Sequence, residues 1–297
     1  MTVARLLSIA LLTLLTMASA IAQTDPLAEA LRRYQGGELQ QARTLIDEAI
    51  VSPAHVKDPE AWLLRGFIYK DLLKGMPGGE QADAVRDTAL VSLMTCLDID
   101  AEGTYRDNAV QAYDFLARSC FNDAAKALND MQEERAVLLF QRYKDATLAR
   151  DPNALVSARE VEFTNALGTQ YTKRFNKDRQ ELVWFDKAVE AYKRVLAIDP
   201  ENYGANYNLA TLYYNRGVYK IRAIDAEFEI PTIQEIQEAS REFFQLALPY
   251  MLKAHDKNPS RREILLGLEG IYYSLQDQES SDRFRELYEL LPPENDQ

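Results

Sequence analysis

The chain has 297 residues, 47% of them hydrophobic and 27% charged, enough apolar material to bury a core and too much for an intrinsically disordered segment. Its 46 Asp and Glu outnumber 34 Lys and Arg, for a formal net charge of −12. Phosphate binding depends on clustered basic residues, so nucleic acid and anionic lipid surfaces are disfavoured as partners.

The first residues read as a targeting segment. Arg5 supplies the positive start, Leu6 to Met17 an apolar run, and Ala18-Ser19-Ala20-Ile21-Ala22 the small residues of a cleavage site, so a signal peptide is expected over residues 1–22. The run is shorter than the roughly 20 residues that span a bilayer, and no later stretch is both long and uncharged. The expected product is exported, periplasmic or secreted in a bacterial cell envelope. It has no stable membrane span after cleavage, and residues 23–297 form a single helical-repeat domain.

Gly and Pro are sparse, and Asp-Pro or Asn-Pro punctuates the apolar stretches, which favours helices. Gly37-x-x-x-x-Ala42-x-x-x-Ile46-x-x-Ala49 reads as half of an opening hairpin, roughly 26–53. The next hairpin, 59–102, carries Trp62-x-x-Arg65-Gly66-x-x-Tyr69 and then Ala89-x-x-x-Leu93-x-x-Cys96, ending at Ala101. Over 104–152, Ala109, Ala112, Tyr113 and Leu116, then Ala136, Phe140 and Tyr143, recur at helical spacing and predict a divergent hairpin. Cys96 and Cys120 fall in successive helices and read as small buried thiols, with a disulfide as the alternative.

The clearest pattern lies in 158–200, where Leu167-Gly168-x-x-Tyr171 is followed by Ala188-x-x-x-Tyr192 and by Asp199-Pro200. It recurs in 203–259 as Leu209-Ala210-x-x-Tyr213, Ala247-x-x-x-Met251 and Asn258-Pro259. A last hairpin, 262–292, has Gly270-x-x-Tyr273 and closes on Phe284, Leu287, Tyr288 and Pro292. Small residues let paired helices approach, aromatics fill the wedge between hairpins, and Pro ends a helix so that the chain reverses.

Recurrence of this pattern in register closely resembles the tetratricopeptide repeat, and the stretch from Asn206 to Ala254 also resembles exported bacterial repeat proteins. Arg65 and Ala101 depart from the pattern. The resemblance implies an all-α fold, a right-handed α-α superhelix (TPR solenoid) of antiparallel helical hairpins with inserted loops and helices. It also implies a concave groove, lined by the first helix of each hairpin, that holds another protein or peptide. The matching groove positions are Asn165, Thr169, Lys173, Tyr207, Thr211, Tyr214 and Asn215. Tyr207, Thr211 and Tyr214 share one helical face and offer aromatic area with hydroxyl handles. The Lys/Asn carboxylate clamp of some cytosolic members is not reproduced.

Three hairpins carry insertions between their helices. Gly66 to Ala89, Gly168 to Ala188 and Ala210 to Ala247 are separated by 23, 20 and 37 residues, where the uninterrupted repeat needs about 12. The first insertion is turn-rich at Gly75-Met76-Pro77-Gly78-Gly79. The second, Phe175-Asn176-Lys177-Asp178-Arg179, reads as a short charged surface loop. The longest, Arg222 to Glu242, is expected to form extra helix from Pro231 onward, and Pro249 to kink or restart the helix after it.

Chemistry is sparse. The only histidines, His55 and His255, have no metal-ligand spacing, and the sequence contains no G-x-S-x-G elbow, phosphate loop or dinucleotide turn. No catalytic residue, cofactor or metal is therefore assigned. The expected function is a non-catalytic scaffold or adaptor for a protein or peptide. The alternative is a small-molecule or glycan-binding module using the Tyr-rich concave groove.

Overall fold

The computed structural model describes residues 25–292, and the signal segment with its cleavage site after Ala22 lies outside them. The described residues form α-helices and no strand. They cluster into two compact units, one running to Asn122 and including Gln141–Pro152, the other made of Asp123–Phe140 and the chain from Asn153 onward.

The first unit holds α1 (Pro26–Gln35), α2 (Leu39–Ala49), α3 (Pro59–Lys74), α4 (Glu80–Ile99) and parts of α5 (Arg106–Asn129) and α6 (Glu133–Arg150). Its helix starts are written in the sequence. Asp25 caps α1 and Asp58 caps α3, each accepting a backbone N–H and each followed by a proline preset for the first turn. Ala30, Ala42, Ile46 and Ile68 are fully buried between α1, α2 and α3. A second cluster joins Leu93 and Cys96 of α4 to Ala109, Tyr113 and Leu116 of α5. Cys96 and Cys120 are both buried and not joined in a disulfide, and burial pushes the Cys96 thiol up to about 11.

Both departures from the repeat pattern have a structural role in this unit. Arg65 donates to Asp47 and to the Ser92 hydroxyl, each at 2.8 Å, and its guanidinium lies over the Tyr69 ring, so it ties α3 to α2 and α4 where an apolar residue is usual. Before Ala101, which stands where proline is usual, the Asp100 carboxylate accepts the backbone N–H groups of Thr104 and Tyr105 at 3.1 and 2.8 Å. That side chain shapes the reversal into α5.

The second unit holds α7 (Ser157–Lys177), α8 (Leu182–Ile198), α9 (Tyr203–Arg222), α10 (Ile230–Lys257), α11 (Arg262–Ser274) and α12 (Gln278–Glu289), paired as successive antiparallel hairpins. One continuous core runs through it from Phe175 and Tyr192 through Leu209, Met251 and Leu268 to Phe284. Asn202 starts α9 by accepting the Ala205 N–H at 3.0 Å.

Two expectations are corrected here. Phe175 belongs to the core and not to a surface loop: α7 continues to Lys177, and the ring is 1% exposed with its centroid 5.3 Å from that of Phe185. Pro249 does not restart its helix, because α10 runs unbroken for 28 residues with buried Ala247 and Met251 holding it on either side. Packing of the flanking turns outweighs the one backbone hydrogen bond that proline removes.

Candidate functional site

The seven groove positions lie on two first helices of the second unit, Asn165, Thr169 and Lys173 on α7 and Tyr207, Thr211, Tyr214 and Asn215 on α9. Both helices are anchored from behind. Gly168 of α7 sits against the Tyr192 ring of α8, where an added Cβ would fall 2.7 Å from a ring carbon. Gly217 of α9 lies as close to Phe244 of α10. The backbone under the candidate contacts is thereby fixed by core packing.

The positions differ in how much of each side chain is left over. Lys173 and Asn215 are exposed, and Thr211 is half-buried. Tyr207 is half-buried and stacks on Tyr203 with ring centroids 6.1 Å apart, while Arg261 lies over the Tyr203 ring at 5.6 Å. Thr169 turns its hydroxyl back to the Asn165 carbonyl at 3.0 Å and toward the Tyr192 hydroxyl at 3.5 Å. Tyr192 itself is 1% exposed, and burial raises its pKa despite the hydroxyls around it.

Asn165 and Tyr214 are committed to the fold. The Asn165 amide donates to Oδ1 of Asn202 at 3.1 Å, the same oxygen that caps α9, so it links α7 to the start of the next hairpin. The Tyr214 ring packs 5.6 Å from Phe244, and its hydroxyl reaches Gly270 and Ser274 of α11. Burial raises the Tyr214 pKa as well. Its reach joins α9 to α11, which is a packing role.

Sequence reasoning passed over Arg216, next to Asn215. Its guanidinium lies over the rings of Phe175 and Tyr219, at 6.0 and 5.8 Å from their centroids. An arginine near a helix end carries no signal that separates it from an ordinary solvated charge; the aromatic partners are Phe175, 41 residues earlier on α7, and Tyr219 in the next turn.

Among the described residues no group of three or more His, Cys, Asp or Glu is placed to hold a metal ion, and no helix is long and apolar enough to cross a membrane. His55 lies between Asp25 and Asp58 at two helix starts, and the His255 ring meets Phe284 edge-on at 5.5 Å.

Residues 185–217 match the family model of the TPR repeat, a stretch that runs from α8 through the first fifteen residues of α9. No insertion interrupts this stretch. No curated protein matches the chain. Among solved structures it is similar to PilW, a widely conserved type IV pilus biogenesis factor, with 16% identity over 94% of this chain and 97% of that one and a TM-score of 0.37. It is also similar to the human IFIT1 dimer with m7Gppp-AAAA, with 14% identity over 86% of this chain and 47% of that one and a TM-score of 0.38. Identity and overlay are both low, and these two likenesses extend no further than helical architecture. The described chain is an all-α array of antiparallel hairpins that carries a tetratricopeptide repeat.

Proposed function

We propose that this chain is a non-catalytic scaffold in the bacterial cell envelope that holds another protein or a peptide along the first helices of its hairpins. The observation that carries this reading is the split on α7 and α9. One side of each helix is locked by Gly168 against Tyr192 and Gly217 against Phe244, while Lys173, Tyr207, Thr211 and Asn215 keep polar or aromatic surface outside the core. A surface fixed in advance loses little conformational entropy on binding. The envelope assignment is supported by the segment from Arg5 to Ala22.

A photo-crosslinking amino acid placed at Thr211 on α9, and separately at exposed Lys193 on α8, tests the reading in cells. One defined protein captured from Thr211 and not from Lys193 is the expected result. Equal capture from both positions, or none from either, rules the groove out. Mature protein from the envelope fraction should begin at Gln23, and a cytoplasmic protein beginning at Met1 overturns the location.

A further inference from the structure

The turn between α7 and α8 and the last turns of α9 bring together two arginines that have no acid partner among the described residues. Arg179 lies over the Tyr219 ring at 5.4 Å, and Arg216 lies over the same ring at 5.8 Å and over Phe175 at 6.0 Å. One Arg216 N–H reaches the Arg179 carbonyl at 3.5 Å. Among the described residues neither guanidinium has a carboxylate within ion-pair distance, nor does Lys220, one turn beyond Arg216. Of the nearby acids, Asp178 accepts the Gln180 backbone N–H and Asp186 acts on Arg216 only from beyond contact.

With 46 acidic residues against 34 basic, an arginine here has a surplus of carboxylates to pair with. Arg65, Arg142, Arg150, Arg174, Arg194 and Arg285 all do so. Burial also holds the Arg216 pKa below the usual arginine value, and the opposing effects of Tyr219 and Asp186 do not cancel it. A guanidinium stacked on an aromatic face keeps the edges of its plane, and so most of its five N–H donors, for a second partner.

We infer that Arg179 and Arg216, flanking Tyr219, form a seat for the carboxylates of an acidic peptide segment in the partner protein. This inference rests on the peptide-holding reading above and gives it a chemical class. Arg179 lies two residues past the end of α7 and Arg216 in the last turns of α9, so the seat sits where the two helices that carry the groove positions end. Each guanidinium can take a carboxylate in the two-pronged geometry that arginine favours, with the Phe175 and Tyr219 rings as the apolar floor beneath them. A nucleic acid fits less well, because it brings a charge with every nucleotide to a chain of net charge −12. A short acidic motif places its charge on the seat and apolar side chains elsewhere.

The test is binding of the intact chain to an array of amidated decapeptides of varied apolar and aromatic content. Each is made in an Asp/Glu form and a matched Asn/Gln form, beside a ten-nucleotide oligoadenylate RNA. Peptides that bind should bind at least tenfold tighter in the acid form. Arg216→Met and Arg179→Met should each reduce that advantage severalfold while leaving the circular dichroism spectrum and Tm unchanged; Arg179→Met, in a surface turn, makes the point without altering α9. Equal binding of acid and amide forms, or an acid preference untouched by both variants, overturns the seat and leaves the peptide-holding scaffold standing. Binding to no peptide overturns both readings. RNA binding lost in the same variants, with no acid preference among peptides, replaces carboxylate with phosphate and overturns the proposal.

Discussion

Gly168 lies flat against the ring of Tyr192, so close that a methyl group on its Cα would sit 2.7 Å from one ring carbon and 2.9 Å from another. The ring has no room to retreat: it is 1% exposed, and its hydroxyl lies between those of Thr169 and Thr172. Gly168→Ala sets a helix-propensity gain of about 1 kcal/mol against overpacking of about 1–3 kcal/mol. With the ring locked, a net loss of about 1–2 kcal/mol is expected, or a Tm lower by about 2–6 °C. Gly204→Ala on α9, whose added Cβ would come no closer than 3.6 Å to its nearest neighbour, Asn202, is the control and should leave Tm unchanged or slightly raised. Equal losses in both variants would refute the close-approach account.

Phe244 makes the corresponding contact in the next hairpin, with its ring 2.5 Å from where a Cβ on Gly217 would lie. It is 6% or less exposed, at 5%, whereas Phe228 in the turn before α10 is 40% exposed. Phe244→Ala should therefore cost about 3–5 kcal/mol and Phe228→Ala under about 0.5 kcal/mol. Urea denaturation of the two variants decides it, and similar midpoints would mean that the long hairpin is held elsewhere.

That pair also marks where sequence reading stops. The Gly168 and Tyr192 relationship was legible because the motif around each residue is intact on either side of a short insertion. By the same spacing Ala210 should face Met251, and both are indeed buried, yet the tightest approach on α9 is at Gly217 with Phe244. Gly217 is seven residues further along α9 and Phe244 seven earlier on α10. The insertion lengthened both helices by about two turns in register, where a sequence alignment can only record a gap. Side-chain commitment was equally hidden: Tyr207 and Tyr214 share a helical face in the sequence, and only the position of Gly270 on α11 shows that Tyr214 is taken up in packing. The seat at Arg216 depends on Phe175, which the sequence placed in a loop.

His55 gives the first unit a pH dependence. Its Nε2 is 2.6 Å from Asp25 and its Nδ1 3.3 Å from Asp58, the residues that cap α1 and α3. Burial opposes the charged ring, but the two carboxylates outweigh it and raise the His55 pKa above its ordinary 6.5. For Asp25, burial is likewise outweighed by the His55 contact, and its pKa is lowered below 3.8. A raised histidine pKa stabilises the fold fully below 6.5, and the gain disappears as pH rises through the folded value. The Asp25 contribution holds above 3.8 and is lost as pH falls through its own folded value. The urea midpoint should thus be higher at about pH 5.5 than at about pH 8.5. His55→Gln should flatten the difference, and an unchanged slope in that variant rules the latch out.

The two groove tyrosines should separate stability from binding. Tyr214 spans α9 to α11, its ring against Phe244 and its hydroxyl against Gly270, so Tyr214→Ala opens a cavity between three helices. A loss of about 2–4 kcal/mol in unfolding free energy is expected, less than for a fully buried aromatic because the residue is half-buried. Among the described aromatic rings Tyr207 rests on Tyr203 alone, so Tyr207→Ala should cost under about 1 kcal/mol in stability. If α9 carries the partner, Tyr207→Ala should still weaken binding by at least about 1.4 kcal/mol, a tenfold rise in Kd, because aromatic anchors dominate such interfaces. Tyr214→Phe keeps the ring packing and removes only the hydroxyl's contact with α11, so it should leave binding unchanged. Binding that follows stability across all three variants would mean that α9 acts only as framework, and the contact surface would have to be sought on another face of the hairpins.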